Sequence, residues 1–174
     1  MPYASGHLIG CWGLAKLYEK VKGYAFSHME WGLLLFGSIL PDADLLIDWI
    51  FGTQLHRGPT HSLLFALAAG LMVCGAALML KHGQRSRQCK PAAYGFAIAF
   101  GILTHLLLDM TLGKPGIRLL WPSGLGVWFF GMAPYPPHSF FSENLSRLLR
   151  FAIIDMALGV MWLGYFWVRK RIKF

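Results

Sequence analysis

The chain has 174 residues, 56% of them apolar and only 14% charged, a balance too oily for an ordinary soluble domain of this length. Its net charge of +8 raises the question of nucleic acid, but the basic residues gather beside apolar runs and form no stripe interleaved with aromatics, which argues against a polynucleotide partner. Three widely spaced cysteines, Cys11, Cys74 and Cys89, with no C-x-x-C pair, fit neither a disulfide framework nor a zinc knuckle.

In chain order, residues 6–17 and 31–40 give two short apolar helices of about three turns each, marginal for crossing a bilayer alone. The opening residues lack the basic start and cleavage site of a secretory signal peptide and are read as part of the mature fold. Residues 62–80 are uncharged and reach the roughly 20 residues that a spanning helix requires. Residues 92–112 are apolar except for His105 and Asp109, and residues 151–168 except for Asp155. Between these last two runs, residues 113–150 contain KPG, WPSG and APYPPH, which mark a loop. Its Trp121, Trp128, Phe129, Phe130 and Tyr135 suit the headgroup region, as a lid or rim. The fold class expected is all-α: one integral membrane domain over residues 1–174, a multi-spanning bundle of about five helices with an irregular aromatic-rich loop.

The basic residues orient this bundle. Lys81, Arg85, Arg87 and Lys90 lie between the two long runs, Arg169, Lys170, Arg171 and Lys173 follow the last one, and Lys16, Lys20 and Lys22 follow the first. The positive-inside rule places all three groups in the cytoplasm, and such residues also meet anionic lipid headgroups. His7, Asp42, Asp44, His56, His61, His105 and Asp109 then fall together at the opposite, non-cytoplasmic end of the helices.

These residue types point to metal. His105 and Asp109, four apart, share one helical face, and a carboxylate inside a span is retained for function or for pairing within the bundle. In PDAD (41–44), Pro41 turns the chain and the two aspartates either leave the helix tip or cap a new helix. HRGPTHS (56–62) presents two imidazoles from a loop, with Thr60 or Ser62 available to cap the next span. Seven candidate ligands exceed the need of one tetrahedral ion and suit one or two metals with an open position for water. A metal lowers the pKa of such water toward about 7, and the planar fork of Arg57 suits an anionic substrate or a headgroup. Asp155 is expected to pair structurally with Arg150 or to face the cavity, Asp48 to lie just outside the ligands, and His138 and Glu143 to be solvated. His28 and His82 fall at cytoplasmic ends.

The early His7, GSILPDAD (37–44), HRGPTHSLL (56–64) and THLLLDMTLGKPGIRLLWP (104–122), in this order, resemble the predicted membrane-bound metal-dependent hydrolases, small bacterial and archaeal inner-membrane proteins. The resemblance covers about the first 122 residues and implies a multi-spanning helical metal-dependent hydrolase. More distantly, Asp42, His56 and the His105/Asp109 pair, with His7 ahead of them, are similar to the metal-binding pattern of zinc-dependent phospholipases C. No second His-x-x-x-Glu follows Asp109, so one or two zinc ions (or manganese or iron) are expected in place of three. The expected ligands are His7, Asp42, His56, His61, His105 and Asp109, with Asp44 a further ligand or general base and Arg57 facing the substrate. The expected activity is hydrolysis of a phosphoester or lipid-linked bond in contact with membrane lipids. A proton or metal-ion transporter and a non-catalytic protein with a structural metal are the other classes.

Overall fold

The computed structural model describes residues 4–53, 57–84, 89–111, 116–134 and 145–168. Six α-helices account for most of them: α1 (Ala4–Lys22), α2 (His28–Gly37), α3 (Asp44–Phe51), α4 (Leu63–Gln84), α5 (Pro91–Met110) and α6 (Leu145–Val168). The short α3 adds a helix to the five expected. The loop expected over 113–150 is in part ordered: β1 (Leu125–Trp128) and β2 (Gly131–Pro134) form an antiparallel hairpin, and α6 already begins at Leu145.

Local chemistry sets the helix boundaries. Pro91 opens α5 at its first turn, where a missing N–H is harmless. Gly23 and Gly52 follow α1 and α3 with φ of +62° and +63°, the left-handed conformation that ends a helix. At α2, Ser27 and Glu30 form a capping box: the Glu30 carboxylate accepts the Ser27 N–H at 2.6 Å, while Ser27 Oγ accepts the Glu30 N–H. The other Glu30 oxygen accepts the Tyr24 hydroxyl at 2.7 Å. Burial opposes ionisation of Glu30, but the Ser27 amide, the Tyr24 hydroxyl and the Ser27 hydroxyl together outweigh it and hold the carboxyl below its ordinary value.

α5 is the central element and packs against α4, α2 and α1. Glycines allow the close approach. A Cβ on Gly101 would collide with the Leu34 carbonyl of α2, and Gly70 and Gly95 each lie against the other's carbonyl oxygen across the α4–α5 contact. One core joins Cys11, Ala15, Trp31, Leu34 and Ala97 between α1, α2 and α5. A second joins Ala66, Ala69, Ile98, Ile102, Leu106 and Ile117 between α4, α5 and the segment that follows α5. That segment is stitched to both helix ends: Leu63 N–H donates to Leu119 O and Phe129 N–H to Met110 O, each at 3.0 Å.

The distribution of polarity is inverted relative to a water-soluble protein. Glu30, Asp44, Asp48, Asp109 and Asp155 are buried, whereas Leu67, Leu71, Met72, Met79, Met161 and Trp167 are more than half exposed. α3 shows this within eight residues, with Asp44 and Asp48 turned inward and Leu46, Ile50 and Phe51 outward. Among the described residues two helices are by length and composition able to cross a membrane, over Leu63–Lys81 and Pro91–Met110; the third run expected to span gives the shorter apolar stretch Ala152–Val168.

Replacing Glu30 by Gln removes the anionic acceptor of the α2 cap and is expected to cost about 1–3 kcal/mol. A carboxyl whose folded pKa is lowered contributes stability above its unfolded value and loses it as pH falls through the folded one. Thermal unfolding of wild type and Glu30→Gln in detergent should therefore converge as pH drops from neutral into the acid range.

Candidate metal centre

Four parts of the chain supply the site. His7 lies in the second turn of α1, Asp42 in a 3-10 turn over Pro41–Ala43, Asp44 at the start of α3, His61 at the end of a 3-10 turn over Pro59–His61, and His105 and Asp109 one turn apart on α5. The PDAD aspartates do not cap α3, since no side-chain cap bond is made at its start; both turn toward histidines instead. Ser62 does cap α4, accepting the Phe65 N–H at 3.1 Å and donating to Pro59 O at 2.6 Å. His7 is positioned from afar: Asp155 of α6 accepts the N–H groups of Ser5 at 3.0 Å and Gly6 at 2.7 Å. Asp155 is thus structural, as expected, but its partner is the unsatisfied, positively polarised start of α1 and not Arg150.

Hydrogen bonds fix which imidazole nitrogens face inward. His105 Nδ1 is 2.7 Å from the Ser38 carbonyl, which can only accept, so Nδ1 carries the proton and Nε2 presents a lone pair. His61 Nδ1 meets Thr60 Oγ1 at 3.1 Å and Asp44 Oδ2 at 3.4 Å, and the Thr60 hydroxyl donates to the same Asp44 oxygen. His61 Nε2 therefore also points inward, 3.2 Å from His105 Nε2. Around this pair, Asp42 Oδ1 lies 3.5 Å from His61 Nε2 and 3.6 Å from His105 Nε2, while Asp109 Oδ2 lies 3.6 and 3.8 Å from them. His7 stacks on His105 with centroids 3.8 Å apart, its Nε2 3.5 Å from Asp109 Oδ1 and 3.9 Å from Asp42 Oδ2.

These separations fit a cation. Ligands about 2.0–2.1 Å from a tetrahedral ion lie roughly 3.3–3.4 Å from one another, close to the 3.2–3.8 Å set around His61 and His105. Two groups, His7/Asp42/His105 and His61/His105/Asp109, each have ligand atoms within 4.8 Å of one another. Two buried atoms, His7 Nδ1 and Asp109 Oδ1, lack hydrogen-bond partners, a costly state for a carboxylate unless a positive charge sits nearby. Burial alone would lower the His61 pKa, but Asp42 and Asp44 outweigh it and lift it to about 9. Asp42, in turn, is opposed by burial but held below the ordinary carboxylate value by His61, His105 and His7. The array therefore attracts a cation even before a metal is considered.

The remaining candidates are placed differently. His56, His138 and Glu143 lie outside the described residues. Arg57 has a left-handed backbone, φ 58°, and its buried Nε makes no hydrogen bond. Asp48 accepts the Thr53 hydroxyl at 2.6 Å, His28 is exposed at the start of α2, and His82 falls in the last turns of α4. The Ser38 carbonyl carries no side-chain signature and could not be foreseen from the residues, and of the two expected caps Ser62 serves α4 while Thr60 bridges Asp44 and His61.

His105→Ala and Asp109→Ala are expected to reduce bound zinc in purified, zinc-reconstituted protein at least tenfold, measured by elemental analysis, with helicity retained. Asp155→Ala removes no ligand, yet it should cost about 0.5–2 kcal/mol in loss of the α1 cap and weaken zinc binding through His7, read by competition with a chromogenic chelator.

Comparison with known proteins accords with the apolar, helical architecture. Inner membrane protein YbcI of Escherichia coli (strain K12) is 29% identical over 154 residues, covering 79% of this chain and 85% of that protein. No solved structure matches. The YdjM inner membrane protein family matches residues 1–172, nearly the whole length, and the chain accordingly belongs to the YdjM inner membrane protein family.

Proposed function

We propose that this protein is a membrane-embedded metal-dependent hydrolase that cleaves a phosphoester or lipid-linked bond at the non-cytoplasmic face of the inner membrane. The observation carrying this reading is the convergence of His61 Nε2, His105 Nε2, Asp42 and Asp109 at the ends of elements remote in sequence. The inverted polarity of the fold and its two candidate spans support a multi-pass arrangement, with α1, α2 and α6 completing the bundle. Lys22 at the end of α1, Lys81 near the end of α4 and Lys90 just before α5 stand at the helix ends opposite to those nearest the site, which supports the orientation.

In this reading His7, Asp42, His61, His105 and Asp109 hold one or two divalent ions, zinc first and manganese or iron next. A divalent ion supplies Lewis acidity, polarising a phosphoryl oxygen and acidifying water. Asp44 orients His61 through Nδ1 and Thr60, the carboxylate–histidine arrangement that fixes the ring and raises its basicity. The Asp42 side chain is 25% exposed, against 0–2% for His61, His105 and Asp109, so water and substrate approach from its side. Arg57, with an unpaired guanidinium nitrogen, binds the anionic part of the substrate.

A structural clamp is the second reading, favoured by the way the cluster ties α1, α5 and both 3-10 turns together. Transport of a proton or metal ion is the third, since buried His and Asp residues in a membrane bundle serve such paths. The deciding assay is turnover of bis(p-nitrophenyl) phosphate and of a phospholipid panel by the purified protein. Activity should vanish with chelator, return with zinc or manganese, and fall at least 100-fold in Asp42→Asn, about 2.7 kcal/mol of transition-state stabilisation. Asp44→Asn should retain part of it. Zinc that raises the melting temperature without any turnover selects the clamp, and zinc or proton flux in proteoliposomes selects transport.

A further inference from the structure

α1 and α5 touch closely near the metal centre, where His7 stacks on His105 and Gly10 lies against Leu108. Farther from it they leave a cavity of about 370 Å³. Leu14, Leu17 and Val21 line it from α1, and Phe100, Leu103 and Leu107 from α5. Leu17, Val21, Leu103 and Leu107 are between 41% and 69% exposed, so the cavity is a groove open along one side.

Its lining is predominantly apolar. The Thr104 hydroxyl is committed to Gly101 O at 2.7 Å, and the Tyr18 ring packs on Phe96 and Phe100. Among the described residues the one charged member of the lining, Lys22, stands at the end remote from the metal centre. The opposite end is set by Leu107, which lies between His105 and Asp109 on α5. From there to Phe100 the groove descends about 10 Å at 1.5 Å per residue. All of this stretch falls inside the candidate span Pro91–Met110. A groove that is uncharged along this stretch and lies at hydrocarbon depth, starting level with the metal ligands and running away from them, has the form of a seat for a tail whose head is at the metal.

We propose that the α1–α5 groove binds one acyl chain of a lipid whose phosphoester headgroup sits at the metal centre, making a lipid the substrate. The assignment of the head end rests on the hydrolase reading; occupancy of the groove by a chain is tested separately. The full chain is reconstituted into vesicles of phosphatidylethanolamine and phosphatidylglycerol containing phosphatidylglycerol with a diazirine in its acyl chain. After irradiation the labelled peptides are mapped by mass spectrometry. Labelling should concentrate on residues 14–22 and 100–107, at least fivefold above the exposed apolar faces of α4 and α6. Filling the groove with Leu17→Trp and Leu103→Trp should abolish that excess while zinc content is retained. The same substitutions should raise KM for a long-chain phospholipid at least fivefold relative to KM for bis(p-nitrophenyl) phosphate.

Even labelling of all exposed helices overturns the groove, whether or not the protein hydrolyses anything. Loss of the excess in Lys22→Gln overturns it too, because the chain would then belong to a cytoplasmic-leaflet lipid held by its phosphate at Lys22. Concentrated labelling in a protein with no metal-dependent turnover keeps the groove and removes the hydrolase.

Discussion

Everything in this structure is arranged around two imidazole nitrogens, His61 Nε2 and His105 Nε2, held 3.2 Å apart with their outer nitrogens already engaged. Two lone pairs so close repel unless something positive lies between or beside them, and the flanking carboxylates of Asp42 and Asp109 raise the demand for positive charge further. A proton or a metal ion meets it. In a low-dielectric bundle an uncompensated pair of carboxylates is far more costly than the same pair in water. A cation at the centre would offset that cost, and the packing must be firm enough to keep these groups from drifting apart.

That firmness comes from residues with almost no side chain. α5 is held from two directions through glycine contacts, Gly101 against Leu34 and Gly95 against Gly70, so the helix carrying His105 and Asp109 has little room to rotate or slide. The same packing places the Ser38 carbonyl, just past the end of α2, beside His105 Nδ1. Close backbone packing thus sets a tautomer. In a membrane, where apolar burial gives helices no net attraction, such small-residue contacts are a principal source of helix association.

Much of this was legible in the sequence. The two long apolar runs, the i, i+4 pair on α5 and the grouping of His and Asp at one end of the helices follow from spacing and charge placement, which act locally. What was not legible depends on three-dimensional partners. α3 escaped notice because its acids point inward and its apolar residues outward, so PDADLLIDWIF reads as a turn followed by an oily stretch. The β1–β2 hairpin hides in a segment punctuated by Gly and Pro, its strands set by pairing with each other and with Ile117. Asp155 looked ready for Arg150, a near neighbour in sequence, because nothing in one dimension reveals that the start of α1 lies across from it.

The Asp155 contact carries a temporal meaning. Ser5 and Asp155 are 150 residues apart, so a ribosome has made every other described ligand-bearing element long before the carboxylate that seats α1 emerges. A nascent chain halted before α6 holds the histidines and aspartates of the centre but not the bond that anchors the turn ahead of His7. Assembly of the complete His/Asp cluster is in this way deferred until the last helix docks.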